Sequence, residues 1–161
     1  RTGSPRQIVG HLNRRLAQDV RDTGRFMTLF YAELEGATRT IRWVRAGHDP
    51  AITYDPRAGE FAELNGQSGL PLGVFHEAVY EEHRRELDPE QIVVMATDGI
   101  WEARSAAGRI FGKKRLQEVI QAHAARPAAD IVERTLEELE RFLHPGRVQD
   151  DATLVVVKLR G

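Results

Sequence analysis

Apolar positions along the chain switch between two spacings. Ile8, Leu12 and Leu16 recur every four residues, the spacing of one buried helical face. Ser4-Pro5-Arg6-Gln7 precedes them and reads as a helix start, with Ser4 as cap, Pro5 in the first turn and Gln7 closing a capping box. Thr23-Gly24 marks its end. Residues 25–34 and 38–47 then read as strands joined by a hairpin loop at Glu35-Gly36-Ala37. A second hairpin is predicted around Asp55-Pro56-Arg57-Ala58-Gly59. Residues 68–74 carry too much glycine and proline for a long strand and read as a loop. Residues 78–87 are charged and roughly alternating, as an exposed or edge strand is. Residues 91–97 form a continuous apolar run, hence a buried strand. Residues 112–124 and 127–143 are helical, the first through Leu116, Val119, Ile120 and His123. The second presents Ile131, Leu136, Leu139 and Leu143. Residues 152–159 are a last buried strand. Strands come in runs and helices come in runs, which predicts an α+β fold with largely antiparallel strands.

Composition narrows the function classes. A chain of 161 residues is long enough for one domain with its own core. Its net charge of −1 gives no electrostatic pull toward nucleic acid or an anionic membrane. With no cysteine, disulfides and thiolate metal sites are excluded, which fits a reducing, cytoplasmic setting. No apolar run approaches the roughly 20 residues of a membrane span. The chain opens on Arg1-Thr2-Gly3 without an initiator Met and reads as the interior of a longer protein.

One strand stands out by how it ends. The run "VVMA" passes directly into Thr97-Asp98-Gly99. Asp-Gly is the ordinary vocabulary of turns, so alone it marks no site. The final strand, however, is preceded by Asp150-Asp151. If the two strands are antiparallel neighbours, Asp98 and one of Asp150 or Asp151 share one rim of the sheet. Clustered carboxylates repel unless a cation compensates, and a hard divalent ion such as Mg²⁺ or Mn²⁺ takes such oxygens. Gly99 leaves space there for a metal, a water or a backbone carbonyl. Two unrelated acidic turns remain the alternative at this stage. The histidines add little. His48 reads as a turn residue, while His11, His83, His123 and His144 lack ligand spacing. "GKKR" at 112–115 lacks the upstream glycines of a phosphate loop, and no G-x-S-x-G occurs. Trp43 and Trp101 read as core or cleft-lining residues.

Together "FMTLFYAEL", "RWVRAGHDPAI", "GLPLGV", "VMATDGIWEARSAAGRIFGKKRL" and "VQDDATLVVVKL" resemble, in order, the motifs of bacterial metal-dependent serine/threonine protein phosphatases. The nearest branch is the stage II sporulation protein E-like one. The resemblance implies a sandwich of two mainly antiparallel β-sheets flanked by helices (α-β-β-α), with two Mn²⁺ or Mg²⁺ ions held by aspartates at one end. It matches Asp98 to the "DG" metal aspartate and Asp150 to the first residue of the terminal motif. Gly99 and Asp151 are left with supporting or backbone roles.

The implied activity is hydrolysis of phosphoserine or phosphothreonine in a regulatory protein such as an anti-sigma-factor antagonist. An upstream sensor or regulatory domain is the expected companion, with no nucleic-acid partner. The family's early G-D-x-x-D-like motif is not in this sequence. Residues 1–161 are therefore expected to be the C-terminal majority of one phosphatase domain, lacking the N-terminal strands and first metal aspartate, and to be inactive alone. The rival from another class is a non-catalytic regulatory or binding module that keeps the phosphatase fold with an incomplete metal centre. Another metal hydrolase on a related sandwich is a third.

Overall fold

The computed structural model describes residues 3–21, 23–146 and 151–160. In chain order the elements are α1 (Pro5–Asp19), β1 (Leu29–Glu35), β2 (Thr40–Ala46), β3 (Ile52–Asp55), β4 (Glu60–Glu63), β5 (His83–Glu86), β6 (Ile92–Ala96), α2 (Asp98–Trp101), α3 (Gly112–Ala122), α4 (Ala128–Leu143) and β7 (Leu154–Lys158). Two antiparallel sheets with flanking helices result, the α+β class expected. The chain divides into two compact units. One comprises the residues up to Pro50 with Asn65–Leu87, the other Ala51–Leu64 with the residues from Asp88 onward. Among the described residues no helix is long and apolar enough to cross a membrane.

In the first unit the sheet order is β1-β2-β5, so the charged strand β5 is an edge, as its alternation predicts, but it spans only His83–Glu86 and residues 78–82 before it are not strand. The first strand begins at Leu29 rather than 25. Before it, Met27 exchanges backbone hydrogen bonds with Leu72 (2.9 and 2.8 Å) in an isolated bridge. The β1–β2 turn also moves later, because Glu35 still pairs with Thr40 and Arg39 takes φ 48°. The fully buried residues of α1 are Pro5, Val9, Gly10 and Asn13; of the expected stripe, Leu16 packs against this core and Ile8 is half-buried, while Leu12 is 43% exposed. Asn13 displaces the apolar stripe because its amide is fully used. Its Nδ2 donates to Phe75 O (3.0 Å) and His76 O (3.1 Å), and its Oδ1 accepts from Gly73 N–H (3.0 Å).

The "AGH" and "GLPLG" segments meet in this unit. Gly47 N–H donates to Gly69 O and Gly69 N–H to Arg45 O, both at 2.9 Å. Gly47 sits at φ 68°, and a Cβ there would come within 2.5 Å of the Pro71 ring. Arg45 clamps the following loop with Nε and Nη2 on His48 O (3.0 and 2.9 Å). His48 lies in the loop that follows β2 rather than in a turn, and it is its backbone carbonyl that Arg45 holds.

In the second unit the order is β4-β3-β6-β7, antiparallel throughout. Ile52, Ile92, Val94, Ala96, Leu154 and Val156 join one cluster with Leu116, Ile120, Ile131 and Leu139 of α3 and α4. Val93 and Val94 are 1% and 2% exposed, so β6 is buried on both faces, which is why its sequence is an unbroken apolar run. On α4, Leu136 is 41% exposed and Thr135 takes the expected inward place. Thr135 is tolerated there because its Oγ1 donates to Ile131 O (2.8 Å).

Candidate metal centre

The rim forms where β6 ends and β7 begins. Their register runs from Ile92↔Lys158 to Ala96↔Leu154, so the two strands are antiparallel neighbours as the spacing predicts. The pairing continues one step past both strands. Thr97 N–H donates to Thr153 O (3.1 Å), and Thr153 N–H donates to Thr97 Oγ1 (2.9 Å). The same hydroxyl donates to Asp151 O (3.3 Å). Thr97 therefore ties the last backbone of β6 to the segment that carries the acidic pair Asp150-Asp151.

Asp98 follows as the first residue of the one-turn helix α2, so the Asp-Gly step opens a helix rather than a turn. Its side chain is exposed, and Oδ1 accepts the Gly99 N–H (3.0 Å). Asp151 is also exposed, at the same rim. Asp150, the second expected metal ligand, lies outside the described residues.

Gly99 is buried, and the space it leaves is filled by a backbone carbonyl. A Cβ at this position would stand 3.0 Å from the Asp151 carbonyl carbon and closer still to its oxygen, with Ala152 Cα at 3.3 Å. Glycine is needed here for the close approach and not for its backbone freedom.

The rim offers oxygen donors of the kind that Mg²⁺ and Mn²⁺ take, carboxylates above all. No three His, Asp or Glu side chains converge on one point among the described residues, so Asp98 and Asp151 are what the described rim contributes. Beside it, Trp101 closes α2 and carries Lys113 Nζ over its ring at 4.7 Å. Sequence reasoning missed both Thr97 and Lys113. The signal for Thr97 was a hydroxyl residue directly between a buried strand and its terminal aspartate. A cleft of about 780 Å³ in the first unit, lined by Val20, Arg21, Arg25, Phe26, Val74 and His76 among others, includes none of the rim residues.

The family model described as Stage II sporulation protein E (SpoIIE) matches residues 1–160. Phosphoserine phosphatase RsbU of Bacillus subtilis is 29% identical over 154 residues, which is 96% of this chain and 45% of that protein. The chain spans less than half the length of the curated relatives it matches. Among solved structures, the SiaA-PP2C domain of Pseudomonas aeruginosa superposes with a TM-score of 0.82 at 20% identity, covering 96% of this chain and 61% of that one. The phosphatase domain of the cell fate determinant SpoIIE from Bacillus subtilis (Mn presoaked) gives 0.67 at 17% identity, covering 99% and 68%. At such identities these two establish the fold. The whole-chain family match establishes more: this chain belongs to the Stage II sporulation protein E (SpoIIE) family.

Proposed function

We propose that this chain serves a metal-dependent protein phosphatase acting on phosphoserine or phosphothreonine. The observation that carries the reading is the β6–β7 rim. There Asp98 leaves one strand beside the Asp151 backbone that leads into its antiparallel neighbour. Family membership and the phosphoserine phosphatase activity named for RsbU point the same way.

In this reading Asp98 and Asp150 hold Mn²⁺ or Mg²⁺, two ions serving the complete centre. The metal, when bound, supplies charge neutralisation for the phosphoryl oxygens and an acidified water for in-line attack. The chain's own residues set the geometry. Thr97 pins the strand end to the acidic segment through two hydrogen bonds, so the backbone on either side of the rim is held before any ligand arrives. Gly99 brings the Asp151 carbonyl against α2 and fixes how far apart the two acidic segments stand. The substrate is a phosphorylated regulatory protein, an anti-sigma-factor antagonist being the kind the family resemblance implies. A sensor domain would gate it, in the cytoplasm.

The test is phosphate release from a phosphoserine peptide by the full-length protein in Mn²⁺. Asp98→Asn should abolish it while leaving the folded structure intact, as read by circular dichroism. Wild-type rates in Asp98→Asn would reject the assignment.

A further inference from the structure

Residues 103–115, directly after α2, contain five cations and no acidic residue: Arg104, Arg109, Lys113, Lys114 and Arg115. Three are already engaged. Arg115 lies over the Phe142 ring and pairs with Glu138, Lys114 reaches Glu118, and Lys113 covers Trp101. Arg104 and Arg109 are different: both are exposed, and neither makes an ion pair among the described residues.

The backbone that carries them is well held. Ser105 N–H donates to Arg109 O (2.9 Å), Gly108 N–H to Ser105 O (2.8 Å) and Phe111 N–H to Ala103 O (2.9 Å). Ser105 is buried, and its Oγ accepts the Arg109 N–H (3.2 Å). Gly108, at φ 74°, closes the turn, and Arg104 pairs across the ribbon with Ile110, which is 49% exposed. The ribbon is anchored to the metal rim, since Glu102 N–H, one residue before it, donates to Asp98 O (2.8 Å). Its base thus follows the proposed metal aspartate by just over one helical turn, a rise of roughly 6–7 Å. Two guanidiniums on a pinned ribbon present forked donors that suit carboxylates.

We propose that Arg104 and Arg109 select the protein substrate by binding acidic residues that flank its phosphoserine. This rests on the phosphatase reading of Asp98. Arg104 and Arg109 are specificity residues with no part in the bond-breaking step. Their effect therefore falls on KM rather than kcat, and it weakens with salt.

Two phosphoserine peptides of equal length test it, one flanked by Glu and Asp, the other by Gln and Asn. Initial rates are measured on the full-length protein in Mn²⁺. The wild type should show a KM about five- to tenfold lower for the acidic peptide, as expected of two exposed charge contacts. Its kcat should agree within about twofold between the peptides. The difference should vanish in R104Q/R109Q and persist in K114Q, whose lysine faces Glu118. R104E/R109E should instead prefer a Lys-flanked peptide, which a merely destabilised variant would not do. Equal KM values with phosphate released would overturn the proposal and leave the phosphatase reading standing. No phosphate from either peptide, with Mn²⁺ present, would overturn both. Competition by an oligonucleotide of equal charge as strong as that of the acidic peptide would overturn the selectivity.

Discussion

Replacing Gly99 by alanine tests the rim at its tightest point. Gly99 is in α2 and its φ is not positive, so alanine meets no backbone strain and gains about 1 kcal/mol in intrinsic helix propensity. Against that gain stands a steric conflict with no flexible side chain to absorb it. The new methyl would overlap the Asp151 carbonyl and approach Ala152 Cα to 3.3 Å, and all of these atoms are backbone. Such overpacking typically costs about 1–3 kcal/mol. The net expectation is a loss of up to about 2 kcal/mol, relieved by displacement of the segment before β7. That displacement strains the Thr97–Asp151 hydrogen bond and moves the acidic segment away from Asp98. Two readouts should therefore move together. Urea denaturation should show a lower midpoint, and a Mn²⁺ titration should show weaker binding. Unchanged stability together with unchanged Mn²⁺ affinity would refute the claim that close backbone approach sets the rim. Lost stability with intact affinity would separate the packing from the metal centre.

Two further outcomes are expected from the second unit. Leu139 is 1% exposed in its core, so Leu139→Ala should cost about 2–5 kcal/mol by thermal or denaturant unfolding. The Asp55 carboxylate is held below its ordinary range, first by the Arg57 backbone N–H and then by the Gln91 side-chain amide. A depressed folded pKa adds stability that is present above the unfolded value, near 3.8, and is lost as pH falls through the folded one. Asp55→Ala should accordingly be less stable at neutral pH and lose less than wild type on acidification below about pH 4, as pH-resolved unfolding would show.

The parts of this molecule legible in its sequence are those governed by local pattern. β6 announces itself because it is buried on both faces, whereas β7, whose apolar run reads as a buried strand, is an edge strand with Val155 43% exposed, and what marks it is the acidic residue beside the same rim. The edge strand β5 is legible through its alternating charges, and the β3–β4 hairpin through the Asp55 turn. What escaped depends on partners distant in sequence. Asn13 looks like a surface residue of α1 until residues 73–76 supply backbone partners for its amide. Thr135 looks less apolar than Leu136, yet its hydroxyl is satisfied within its own helix, so it can face the core. The glycines of "AGH" and "GLPLG" read as family signatures. Physically they are two loops that hydrogen-bond to each other, with Gly47 pressed on Pro71. The sequence leaves open what fills the space beside Gly99, and only the fold identifies the occupant as the Asp151 carbonyl.

Anomalous diffraction from crystals soaked in Mn²⁺ tests whether the β6–β7 rim is a divalent-cation site. An anomalous peak is expected about 2.1 Å from an Asp98 carboxylate oxygen, the distance of a small octahedral cation, and it should be lost in Asp98→Asn. Mn²⁺ peaks elsewhere at saturating metal, with the Asp98 carboxylate bare, would contradict it.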